Sequence, residues 1–149
     1  MSSATSSGHV DVLVVGGGIG GLSAAFALSR RGLRVRVLER APEFGEVGAG
    51  IQLAPNCTRI LADFGLLDEA VRLGVVPEAL VMRDALDGSE LTRLDSHDLR
   101  VRYGFPYLVI HRSDLHGLFL HRIVRLHGEH VEAVGTVLKC CLRHGDHLV

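Results

Sequence analysis

Apolar residues arrive along this chain in short, separated runs, and their periods name the elements. His9-Val10-Asp11-Val12-Leu13-Val14-Val15 is β-branched and nearly continuous, which predicts a strand buried on both faces of a parallel sheet. Six residues, five of them glycine, follow at once: Gly16-Gly17-Gly18-Ile19-Gly20-Gly21. Leu22 to Arg31 is rich in good helix formers and predicts a helix. Gly32 stops it, where a left-handed residue needs no Cβ. Arg34-Val35-Arg36-Val37-Leu38 alternates with period two and predicts a second strand, ending at Glu39.

From Arg40 to Asn56 the chain is glycine-rich and punctuated by prolines, which predicts a loop and no quick return to a helix. Asn56 is the candidate cap of a helix over Cys57 to Phe64, ended by Gly65, with Ile60, Leu61 and Phe64 on its apolar side. Leu66 to Leu73 predicts a short helix before Gly74. Ala79 to Asp95 predicts a hairpin about Asp87-Gly88, a pair that favours a type I′ turn. Ser113 to Arg125 predicts a helix with Leu115, Leu118, Phe119 and Ile123 on one face. Gly135 to Val149 predicts two short strands about Gly145-Asp146. The chain contains neither an internal repeat nor a coiled-coil heptad.

Composition narrows the class. The chain has 149 residues, about one domain, and 47% hydrophobic residues are enough to bury a core. Lys and Arg number 16 against 17 Asp and Glu, without a long run of either sign, so nucleic acid and membrane surfaces are not expected partners. Cys57, Cys140 and Cys141 are odd in number, and the adjacent pair would point to opposite faces of a strand. That is no disulfide framework; a reducing, cytoplasmic location is expected. Residues 1–9, Ser-rich and without a basic n-region, are expected as a disordered lead-in, with neither signal peptide nor membrane span.

Histidines raise the question of a metal. His111, His116 and His121 are spaced five apart and do not share a helix face as i, i+4 ligands would. His127 and His130 lack a matching carboxylate or thiol set, and Cys140-Cys141 lacks the spacing of a zinc knuckle. No metal is expected. No G-x-S-x-G elbow or other nucleophile motif occurs, so no catalytic side chain is named.

The glycines carry the chemistry. Gly16, Gly18 and Gly21 fit G-x-G-x-x-G between a strand and a helix. Gly16 lets the chain turn tightly, Gly18 lets backbone approach a pyrophosphate, and Gly21 lets the helix pack closely on the sheet. The helix N-terminus offers N–H groups and partial positive charge to the phosphates. Glu39 stands at the second strand's end, where a carboxylate accepts from both ribose hydroxyls of an adenosine and repels a 2′-phosphate. The competing reading is a glycine-rich turn in an ordinary α/β domain with Glu39 merely exposed.

Two stretches carry a family resemblance. Val37-Leu38-Glu39-Arg40 followed by Gly48-Ala49-Gly50-Ile51-Gln52-Leu53-Ala54-Pro55-Asn56 resembles the FAD-dependent aromatic hydroxylases, the group A flavoprotein monooxygenases of the salicylate hydroxylase type. The Gly-Gly-Arg motif of the related amine oxidases is absent. Tyr107-Leu108-Val109-Ile110-His111-Arg112-Ser113-Asp114-Leu115-His116 is similar to a second family stretch, a strand, an arginine and a helix start. The resemblance implies that Arg112 contacts FAD, from a position before a helix capped by Ser113 or Asp114; an ordinary surface ion pair is the alternative for Arg112. It also implies that Ala49, Gly50 and Ile51 lie against the flavin; a flexible surface loop is the alternative for this stretch.

The implied fold is α/β: a Rossmann-like FAD-binding βαβ domain, with a parallel sheet, helices and small hairpins, occupying residues 10–149 as a partial FAD/NAD(P)-binding domain. The implied cofactor is FAD, bound through Gly16, Gly18, Gly21, Glu39, Arg40, Ala49, Gly50 and Arg112. The implied activity is monooxygenation: NAD(P)H reduces FAD, and one oxygen atom of O2 passes to a small aromatic substrate. The family's later Gly-Asp motif for the ribityl chain, its Asp-Gly motif and its substrate-binding sheet do not occur in these 149 residues. Two further readings stay open: a non-catalytic or incomplete FAD-binding module, which a second polypeptide could complete, and an NAD-binding module.

Overall fold

The computed structural model describes residues 10–41 and 49–127. The expected lead-in, the loop positions 42–48, Cys140, Cys141 and the expected strands about Gly145-Asp146 lie outside the described residues. Among those described, the backbone gathers into two compact units, one of residues 10–41 and 119–127, the other of residues 49–118.

The first unit begins with β1 (Val12–Val15), α1 (Ile19–Ser29) and β2 (Val35–Leu38). β1 and β2 pair in parallel, Val12 opposite Val35 and Val15 opposite Leu38, as a βαβ unit requires. α1 crosses between them and buries Leu22, Ala25 and Phe26. It starts at Ile19, three residues before the first apolar helix former, because Gly20 and Gly21 are taken into its first turn. β1 is not buried on both faces: Leu13 and Val15 are 54% and 61% exposed, while Val12 and Val14 are half-buried. Among the described residues β1 pairs with β2 alone, and α1 covers the side bearing Val14. At the entry to the pair, the Arg34 N–H donates to Asp11 Oδ2 at 2.8 Å.

The second unit runs through β3 (Gly50–Leu53), α2 (Pro55–Asp63), α3 (Leu67–Leu73), β4 (Ala79–Arg83), β5 (Glu90–Asp95), α4 (Ser96–Tyr103) and β6 (Leu108–His111), into α5 (Arg112–His127). β3 pairs antiparallel with β6, Gly50 opposite His111. The loop expected over Arg40 to Asn56 therefore contains a strand. Pro55 opens α2 with Ala54 as its N-cap, so Asn56 is not the cap. Proline suits the first helical position because its missing N–H has no intrahelical partner there. β4 and β5 form the expected hairpin, but not on a type I′ turn. That turn needs positive φ at both central residues, and only Gly88 has it (φ 75). The connection instead closes as a longer loop, with the Gly88 N–H donating to the Asp84 carbonyl at 3.0 Å. α4 was not expected: Asp95 caps it by accepting from the His97 N–H at 2.7 Å.

Leu53, Leu61, Leu66, Ala70, Leu108 and Ile110 are buried in the second unit, and so are Leu115 and Leu118 at the start of α5. The later part of α5 belongs to the first unit, where Phe119 meets Phe26 edge-on at 6.4 Å between ring centroids. Leu115, Leu118, Phe119 and Ile123 are each 3% exposed, the apolar face their spacing predicts. Thr58 is the one fully buried polar side chain among the described residues, and its hydroxyl donates to the Pro106 carbonyl at 2.7 Å. Thr58→Val keeps the shape and removes that donor. Urea unfolding is expected to show a loss of about 1–3 kcal/mol, the cost of a buried acceptor left unpaired. A loss within about 0.5 kcal/mol of zero would show that the carbonyl finds another donor.

Candidate functional site

In the first unit the residues from Gly16 to Gly21 form a bare turn leading into α1. Gly16 stands at φ 103, a conformation that a side chain would strain, and its N–H donates to the Leu38 carbonyl at 2.7 Å. Gly18 is the N-cap of α1 in an extended conformation and brings no capping side chain. The first turn of α1 carries no acidic residue. No side chain caps its leading N–H groups, and the helix dipole favours an anion there. Gly21 is held where nothing else fits: a Cβ would lie 1.9 Å from the Gly16 carbonyl oxygen. The turn is folded back on the helix it starts.

Glu39 closes this turn from the tip of β2. Its Oε2 accepts from the Gly17 N–H at 2.5 Å and its Oε1 from the Ala41 N–H at 2.9 Å. These bonds, Ala41's first and Gly17's second, hold the Glu39 carboxyl below its ordinary range, with smaller help from the Arg40 N–H and charge; partial burial works the other way. A depressed carboxyl makes its contribution above its unfolded pKa and loses it as pH falls through the folded one. The tether at Gly17 is therefore expected to survive acidification past about pH 4.3, where a free glutamate is half protonated. The pH dependence of the Gly17 and Ala41 amide resonances tests this; a midpoint at or above the free-glutamate value contradicts it.

Gly16, Gly18, Gly21, Glu39 and Arg40 are thus brought to one place, with Arg40 exposed beside the carboxylate. Ala49, Gly50 and Arg112 are brought together in the second unit. Ala49 and Gly50 are exposed at the start of β3, and the Arg112 N–H donates to the Ala49 carbonyl at 3.3 Å. The expected cap at Ser113 or Asp114 is corrected, because α5 begins at Arg112 itself. Asp114 lies in its first turn, and the Ser113 hydroxyl lies 2.6 Å from His111 Nδ1. Sequence reasoning missed the Gly17 and Ala41 amides, since a backbone donor leaves no mark on residue type.

Among the described residues, no group of three or more His, Cys, Asp or Glu side chains could hold a metal ion, and no helix is long and apolar enough to cross a membrane.

Comparison with known proteins adds the family. The FAD binding domain family matches residues 9–130. The 3-hydroxybenzoate 6-hydroxylase of Polaromonas naphthalenivorans (strain CJ2) is 53% identical over 106 residues, 70% of this chain and 26% of that protein. The 3-hydroxybenzoate 6-hydroxylase 1 of Aquipseudomonas alcaligenes is 46% identical over 113 residues, 75% of this chain and 29% of that protein. Among solved structures, Klebsiella pneumoniae HpxO complexed with FAD and uric acid aligns with a TM-score of 0.68 at 31% identity, over 79% of this chain and 30% of that one. The chain spans between about a quarter and a third of the length of these relatives.

Proposed function

We propose, because this chain belongs to the FAD binding domain family, that Gly16, Gly18, Gly21, Glu39 and Arg40 hold the ADP half of FAD. The observation that supports this reading is the bond from the Gly17 N–H to Glu39, which holds a carboxylate against the side-chain-free backbone of Gly16 to Gly18. In the proposed complex the diphosphate meets the leading N–H groups of α1, and the remaining acceptor capacity of Glu39 takes the ribose hydroxyls. Ala49, Gly50 and Arg112 are, through the family resemblance, the proposed contacts of the flavin portion.

The proposed activity is hydroxylation of a small aromatic substrate with NAD(P)H and O2, as part of a flavoprotein monooxygenase. FAD, when bound, supplies the redox chemistry; the protein binds and orients it. The short span relative to the relatives favours a second reading alongside the first, in which this chain provides the nucleotide end of a site that further residues or a second polypeptide complete. Competition distinguishes the proposed mode of binding. ADP is expected to displace FAD from the purified chain, and riboflavin is not. Displacement by riboflavin with no effect of ADP would overturn the proposal.

A further inference from the structure

Glu39 is tied to the backbone through both of its carboxylate oxygens. Each carboxylate oxygen already accepts a backbone N–H, Oε2 from Gly17 and Oε1 from Ala41. The Gly17 bond joins residues 22 apart in sequence, and it reaches the middle of the glycine turn. A further bond from β2 to this turn runs from the Gly16 N–H to the Leu38 carbonyl. Glycines have the most conformational freedom to lose, so a turn built of them is held only by such bonds and by packing. An ionised carboxylate has about four lone-pair directions on its two oxygens, so acceptor capacity remains after both tethers are made.

We propose that Glu39 is a positioning residue for the glycine turn, its bond to the Gly17 N–H fixing the turn in its phosphate-binding shape, beside the ribose contact proposed above. The second role rests on the proposed ADP site; the first does not depend on ribose contact. Ordering the turn in advance lowers the entropic cost of binding, so part of the benefit of Glu39 passes to the diphosphate, which it does not touch. Removing Glu39 should then weaken even a ligand that has no ribose hydroxyls to offer.

The test is calorimetric titration of the chain and its variants with ADP and with 2′,3′-dideoxy-ADP. The unmodified chain is expected to prefer ADP by about tenfold or more, through hydrogen bonds to a charged acceptor. Glu39→Ala is expected to weaken both ligands, the dideoxy one by about fivefold or more, through loss of the ordered turn. Glu39→Gln should recover part of the dideoxy affinity, because its amide oxygen still accepts from the Gly17 N–H. Unchanged dideoxy binding in Glu39→Ala would overturn the positioning role and leave the ADP site standing. Equal binding of the two ligands by the unmodified chain would instead overturn the ribose contact. A measurement on the unmodified, ligand-free chain covers the case of a variant that fails to fold. The Gly17 amide hydrogen is expected to be protected from solvent exchange, and exchange at the rate of an unstructured peptide would overturn the proposal.

Discussion

Gly21→Ala is expected to destabilise the first unit by about 3 kcal/mol, at the upper end of what overpacking costs. The added Cβ would stand 1.9 Å from the Gly16 carbonyl oxygen, 3.0 Å from its carbon and 3.4 Å from Val14 Cγ1. Two of these atoms are backbone, so no flexible side chain can give way. Either α1 lifts from β1 or the turn opens. Both shift the N–H groups proposed to face the diphosphate, so ADP binding is expected to weaken together with stability. Gly20→Ala is the control. A Cβ there meets nothing within 4 Å, and alanine is the better helix former by up to about 1 kcal/mol. Urea unfolding of both variants, with ADP titration, separates them. Equal stability for the two would contradict the close packing of turn on helix.

An ADP carrying a 2′-phosphate is expected to bind about a hundredfold more weakly than ADP itself. Glu39 stays ionised under the hydrogen bonds of Gly17 and Ala41, and those bonds pin it in place. A phosphate on the 2′ oxygen would face that fixed charge at contact distance, and like charges so opposed cost several kcal/mol. Each tenfold in affinity is about 1.4 kcal/mol, so a hundredfold asks for less than the full repulsion. Arg40 works in the opposite direction. It is exposed, so its attraction for the added phosphate is screened and weaker than the repulsion from a tethered carboxylate. Glu39→Gln removes the opposing charge and should close most of the gap. Equal binding of the two ligands by the unmodified chain would mean that Arg40 prevails.

The βαβ part of this fold was readable because its logic is local. The run through Val15, the glycines, the helix and the alternation through Leu38 follow one another within 30 residues, and each has its own period or composition. Glu39 could be placed at the turn because parallel pairing of β1 with β2 brings Leu38 opposite Val15, one residue before Gly16. Elements with distant partners were less readable. β3 is only four residues long, Gly-Ile-Gln-Leu, at the end of a glycine-rich stretch; what makes it a strand is β6, starting 55 residues beyond Leu53. α4 reads Ser-His-Asp-Leu-Arg-Val-Arg-Tyr, too polar for an apolar stripe, and its signals were Asp95 before it and Gly104 after it. The Asp87-Gly88 pair marked a turn correctly but not its type, since a single positive φ at Gly88 serves a longer loop as well. At the helix after β3, proline at the first position outweighed the capping preference of Asn56. The roles proposed for Ala49, Gly50 and Arg112 rest on family resemblance, because an exposed alanine, glycine or arginine has no chemistry that spacing alone can fix.

The bare glycine turn and the tethered carboxylate are together proposed to make this chain a holder of FAD. Calorimetric titration of the purified chain with FAD and with NAD, each from the ligand-free state, tests it most directly. FAD is expected to bind in a one-to-one complex and more tightly than NAD. Tighter binding of NAD, or no binding of FAD at all, would contradict the account.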